Sequence, residues 1–188
     1  MLDPLGFDLN GVRVKRSKPQ DVGEAVSRPF RHLAVCPFTI LVDTREQLPY
    51  SFDGMDVVVP VVVAGLKSGD YSIRGMEDQI ACERKSMDDL FGSVTWGRDR
   101  FEREIQRLAE LPGFAAVIIE ATWPEIMAPL EYRPGWINQT DPKSVEGTIV
   151  AWAIRYPRVS WWPCGDRRGA ELRTFSILRK FWKEANQR

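Results

Sequence analysis

Residues 67–89, KSGDYSIRGMEDQIACERKSMDD, constrain this chain more than any other stretch, because charged side chains are concentrated between two runs that read as strands. Gly69-Asp70-Tyr71 places an acid at a turn, and Ile80-Ala81-Cys82-Glu83-Arg84-Lys85 has the character of a strand. With a side-chain period of two, Glu83 and Lys85 point to one face and Arg84 to the other. Gly75, Glu77 and Asp78 supply turn chemistry between the runs, so a hairpin brings Asp70 back towards Glu83. Two carboxylates and an ammonium then share one small patch. Like charges at such range repel, and a divalent cation is the usual remedy. A donor set of oxygens alone suits a hard ion such as Mg²⁺ or Mn²⁺, and a lysine beside it can orient a water for attack. The alternative for so short a pattern is an exposed, salt-bridged hairpin without chemistry.

The flanking residues favour the chemical reading. Ile40-Leu41-Val42-Asp43-Thr44-Arg45-Glu46 precedes the hairpin, and Glu83-Arg84-Lys85-Ser86-Met87-Asp88-Asp89-Leu90 continues into Gly97-Arg98. In order, spacing and apolar context these runs resemble the XPF-type nuclease domain, a branch of the PD-(D/E)xK superfamily, with its signature VDxRE, GDY and ERKxxxDL. The resemblance extends from about Phe38 to near the C-terminus. Thr44 fills a variable position, and Asp89 rather than Asp88 matches the aspartate of the last motif.

The resemblance implies metal-dependent hydrolysis of DNA at flaps, forks or junctions, in repair, recombination or replication. It implies Asp70 and Glu83 as ligands of Mg²⁺ or Mn²⁺, with the carbonyl of Arg84 as a further ligand and Lys85 positioning the attacking water. Asp43 would be either a ligand or a contact in the outer shell. Arg45, Glu46, Arg84 and Asp89 would form the supporting shell. A rival is a catalytically silent module that docks on DNA or on an active partner; such members typically lose the acids of these motifs, which are intact here. A sequence-specific restriction or mismatch nuclease on the same fold is the second rival. The helix-hairpin-helix and helicase modules that accompany the domain in eukaryotes and archaea find no room in 188 residues.

That length suits a single domain with a sizeable core, read as an irregular N-terminal arm over residues 1–37 and a nuclease-like domain over 38–188. Formal net charge is zero, so any nucleic-acid surface must be a local patch. Cys36, Cys82 and Cys164 are isolated, which argues against disulfides or a zinc site and fits a reducing, intracellular (cytoplasmic) setting. The longest apolar run, Val57 to Leu66, is too short to span a bilayer, and the N-terminus shows no apolar signal region. In the arm, Arg13, Lys15, Arg16 and Lys18 form a basic cluster, either poorly ordered or in contact with a DNA backbone; His32 lies far from the motifs.

Periodicity predicts the order β-β-β-β-α-α-β-α-α-β-α, an α/β domain with a central mixed sheet and helices on both faces. Phe38 to Val42 reads as a buried strand delivering Asp43, and Asp56 to Ala64 as a second strand of simple core, with Pro60 at a bulge or edge. Ser86 reads as the N-cap of a helix. On the next helix, Arg98 to Leu111, Phe101, Ile105 and Leu108 form the core face, while Arg98, Arg100, Arg103 and Arg107 are candidate DNA-backbone contacts. Glu102, Glu104 and Glu110 are interleaved, so a salt-bridged solvent face is the equal alternative. Glu120 ends a buried strand, where a lone carboxylate is more often structural than an extra acid near the site. Helices over Val145–Tyr156 and Leu172–Trp182 carry more apolar surface than one sheet face needs, and the resemblance implies a homodimer through them.

Overall fold

The computed structural model describes residues 33–128 and 140–187. Most of the expected arm, with its basic cluster and His32, lies outside them, as does the Pro/Gly loop expected after Leu130 except for Thr140. Eleven elements follow in the predicted order: β1 (Ile40–Asp43), β2 (Val61–Ala64), β3 (Tyr71–Ile73), β4 (Ile80–Lys85), α1 (Met87–Val94), α2 (Arg98–Ala109), β5 (Phe114–Ile119), α3 (Trp123–Met127), α4 (Pro142–Arg155), β6 (Val159–Pro163) and α5 (Arg167–Ala185). The strands form one six-stranded sheet in the order β2-β1-β3-β4-β5-β6. β1 pairs antiparallel with β3, and β3 with β4, so two consecutive reversals bring Asp43, Asp70 and Glu83 towards one end of the sheet. The remaining pairs, β1·β2, β4·β5 and β5·β6, are parallel.

The pleat separates two cores. In β5, Ala116 and Ile118 join Ile80 and Cys82 of β4 under Phe175 and Leu178 of α5. Ala115, Val117 and Ile119 face the other way with Ala81, beneath Leu90 and Phe91 of α1, Phe101 and Ile105 of α2, and Trp152 of α4. Glu83 and Lys85 share the alternation of Ala81 and therefore lie on the α1/α2 side, whereas Arg84 shares that of Cys82 and lies on the α5 side. This assignment of faces positions the site.

Two expectations need correction. The second strand is shorter than Asp56–Ala64, because Pro60 has no N–H for the ladder, and it is not core: it is the sheet edge, and Val63 is 65% exposed. The apolar residues at Val145, Ile149 and Trp152, and at Phe175 and Leu178, are used within the domain's own two cores, so most of the surplus read from the two C-terminal helices is internal packing. Val150, Ile154 and Leu172 remain exposed.

Candidate active site

Asp70 stands just before β3 and is locked to β4 from both ends. Its N–H donates to the Cys82 carbonyl at 2.9 Å, and its Oδ2 accepts the Arg84 N–H at 2.7 Å. The preceding Gly69 has φ +71°, and a Cβ there would meet Ala81 Cβ at 2.9 Å, so only glycine lets the turn lie this close to β4. Two strand residues along, Lys85 Nζ donates to Glu83 Oε1 at 2.8 Å and lies 4.3 Å from the centre of the Phe101 ring. Phe101 belongs to α2, so the second helix forms the wall against which the ammonium is held.

Burial is the largest cause that pushes the Asp70 carboxyl up to about 8, with the Glu83 charge next. Burial likewise raises Glu83, against the pull of Lys85. Lys85 shows the reverse balance: burial disfavours its charge, but the charge and hydrogen bond of Glu83 outweigh that and hold it as an ammonium. The cleft therefore contains two carboxyl groups that do not easily ionise together and one cation that stays charged.

Asp43, 2% exposed at the end of β1, donates its N–H to the Asp70 carbonyl at 2.8 Å. Its Oδ1 accepts Arg45 Nε at 2.6 Å and the Arg45 N–H at 2.9 Å, and its Oδ2 accepts the Leu66 N–H at 2.6 Å. Burial opposes ionisation here, but these hydrogen bonds outweigh it and leave the carboxyl below its ordinary range. On the opposite face of β4, Arg84 forms a two-pronged pair with Glu120 at 2.7 and 3.0 Å, and its Nη1 lies 3.5 Å from Glu46. Glu120 also takes Arg167 of α5 at 3.2 Å. Glu46, Arg84 and Glu120 are thus a buried network beneath the strand end, which separates Glu120 from the Asp70–Glu83 face.

A cavity of about 360 Å³ lies over Asp70, Glu83 and Lys85, bounded by Arg45, Arg100 and Arg107. Of the expected arginine stripe, Arg100 and Arg107 reach this cleft, and Arg103 is exposed on the same helix. Arg98 turns away: its Nη1 donates to Thr148 of α4 at 2.7 Å, and it lies over the Trp152 ring. Ser86 caps α1: its Oγ accepts the Asp89 N–H at 3.1 Å and donates to Asp89 Oδ2 at 2.7 Å.

Glu104 is the cleft residue that the motifs do not single out. Its Oε1 accepts the buried Gly69 N–H at 3.0 Å, and its other oxygen pairs with Arg107. The signal was present in the spacing: Glu104 is i+4 from Arg100 and i−3 from Arg107, on the same helical face.

Among the described residues no three Asp, Glu, His or Cys side chains converge closely enough to cage an ion by themselves. Two carboxylates in an open cleft nevertheless fit Mg²⁺, which binds through one or two carboxylates and completes its shell with water and phosphate. The burial that raises both carboxyl groups, and the Glu83 charge that adds to it at Asp70, are offset by a cation there.

Residues 42–170 match the ERCC4 domain family. Among solved structures, XPF from Aeropyrum pernix is similar at a TM-score of 0.55 and 25% identity, over 75% of this chain and 63% of that one. XPF from Aeropyrum pernix in complex with DNA is similar at a TM-score of 0.57 and 25% identity, over 78% of this chain and 66% of that one. The chain thus spans just under two thirds of each of these structures. No curated protein matches it.

Proposed function

The chain belongs to the ERCC4 domain family, with an XPF-type fold, and from that premise we propose that it is a metal-dependent endonuclease acting on branched DNA. The observation that carries this reading is the pair of buried carboxyl groups, Asp70 and Glu83, with Lys85 bonded to one of them in a cleft rimmed by Arg45, Arg100 and Arg107. Similarity to XPF in complex with DNA supports a DNA substrate.

In this reading Asp70 and Glu83 hold Mg²⁺ or Mn²⁺, joined by the backbone carbonyl of Arg84. When bound, the cation neutralises charge developing on the phosphoryl oxygens. Asp43, both of whose oxygens already accept protein hydrogen bonds, anchors Arg45 and the Asp70 turn instead of serving as a ligand. Arg45, Arg100 and Arg107 grip the phosphate through charge-assisted hydrogen bonds. Lys85 remains protonated and donates to the attacking water or to a phosphoryl oxygen, fixing the line of approach. Water oxygen joins phosphorus and releases one proton to solvent, the P–O3′ bond breaks, and the 3′ oxygen takes up a proton from solvent. The Glu46–Arg84–Glu120 network fixes the end of β4 from behind, so that Glu83 and Lys85 are presented as one rigid unit. Exposed Val150 and Ile154 on α4 are the contact through which two copies pair, one on each arm of a branched substrate.

Purified protein should cut flaps, forks or four-way junctions with Mn²⁺ or Mg²⁺ faster than linear duplex or single strands of the same sequence, and a chelator should stop it. Uniform cutting of all five would remove structure specificity, and cutting at one sequence regardless of shape would replace it by sequence reading. No cutting under any of these conditions would leave a binding module.

A further inference from the structure

A second cavity, of about 630 Å³, opens beside the cleft and shares Lys85, Ser93 and Arg100 with it. Its outer wall is Trp96, in the turn between α1 and α2. Trp96 is 76% exposed and is the one exposed tryptophan among those described; Trp152, by contrast, is wholly buried. The indole is not loose. A Cβ added at Gly92 would meet three of its ring carbons at 3.2–3.5 Å, so one side of the ring lies over Gly92, on α1. A large aromatic seated on a helix with most of its area in water is a stacking platform.

The acidic cleft carries Arg45, Arg100 and Arg107 at its rim, suited to a phosphate. Beside the shared Lys85 and Arg100, the neighbouring cavity is lined by Trp96 and by Asp88 and Asp89, whose carboxylates offset those two cations. The carboxylates offer acceptors to exocyclic amino groups, while the indole offers a face for a π-system. The combination suits a nucleobase, and the volume lies within the range of small-ligand sites.

We propose that the cavity walled by Trp96 is a subsite for an unpaired nucleobase, the one adjoining the phosphate held in the acidic cleft. The proposal rests on the nuclease reading for its DNA ligand. A base stacked inside duplex has neither face free for the indole; one in a flap or at a fork has. Trp96 thereby selects for a single-stranded flank at the point of cleavage.

The test uses the full chain carrying Glu83→Gln, so that strands are bound without being cut. Two fluorescein-labelled oligonucleotides are compared by anisotropy: a short deoxycytidine strand, whose bases carry an exocyclic amino group, and the same sugar-phosphate chain with every base removed. The base-bearing strand should bind about tenfold more tightly. Adding Trp96→Ala should bring the ratio close to one, with an unchanged thermal midpoint, and Trp96→Phe should retain most of it. A ratio near one before Trp96 is touched, a ratio that survives Trp96→Ala, or binding of neither strand would each overturn the subsite. Hydrolysis by the native protein is read separately. Cleavage with no Trp96-dependent ratio removes only the subsite, and a Trp96-dependent ratio without cleavage removes only the reaction.

Discussion

Burial, with the Glu83 charge added to it, keeps the Asp70 carboxyl from ionising until something positive lies beside it, and this governs how the metal-free protein responds to pH. Burial and the Glu83 charge raise the Asp70 carboxyl from its ordinary 3.8 to about 8. The folded state therefore holds a proton that the unfolded chain releases between those values, and stability falls as pH rises through that window. Glu83, also raised, adds to the slope with the same sign. Each group contributes at most about 1.4 kcal/mol per pH unit. We expect Asp70→Asn, whose amide oxygen can still accept the Arg84 N–H, to flatten this decline between pH 6 and 8 in thermal melts. At pH 8 the metal-free variant should be more stable than native by about 1 kcal/mol or more. Native protein should regain that stability on adding Mg²⁺ or Mn²⁺, and the variant should gain little. Equal pH profiles for the two proteins would mean that the carboxyl groups are not coupled as described.

At the scale of elements, α2 completes the cleft: it supplies Phe101 under Lys85, Arg100 and Arg107 at the rim, and Glu104 on the Gly69 turn. Glu104→Ala leaves the buried Gly69 N–H without an acceptor, a loss of about 1–3 kcal/mol. Glu104→Gln keeps the acceptor and should cost well under 1 kcal/mol, since the Arg107 pair it breaks is partly exposed. Hydrogen exchange at the Gly69 amide tests this directly: fast in the alanine variant, protected in the glutamine one. The β3–β4 hairpin and the division of Glu83 and Lys85 from Arg84 were legible in the sequence, because a period of two fixes faces without any tertiary information. The role of Glu104 was not, because an acid between arginines on a helix reads equally well as a solvent salt bridge; only the docking of α2 against Gly69 distinguishes the two. Glu120 illustrates the converse. The sequence left it open between a structural carboxylate and an extra acid near the site, and its parity, that of Arg84, puts it on the α5 side. The second strand looked like core because six of the residues from Asp56 to Ala64 are valine, yet its place at the edge leaves Val58, Val61, Val62 and Val63 exposed.

For the whole molecule, the two C-terminal helices lie on opposite faces of the sheet, each spending most of its apolar side on the domain itself. Trp182 stacks on Phe38 at 5.9 Å and so serves the core. Pairing through α4 therefore depends on Val150 and Ile154. Sedimentation at micromolar concentration should show a dimer that Ile154→Glu converts to monomer without lowering the thermal midpoint; a native monomer would remove the dimer from the account. Among the described residues no helix is long and apolar enough to cross a membrane. The central claim is that Glu83, with Asp70 and Lys85, is the hydrolytic centre, and single-turnover cleavage of a labelled branched DNA tests it most directly. Native protein with Mn²⁺ should cut the strand, and Glu83→Gln, equally folded and equally concentrated, should be slower by at least about 10³-fold, the scale of losing a principal catalytic contact. Cleavage by Glu83→Gln at the native rate would contradict the assignment outright.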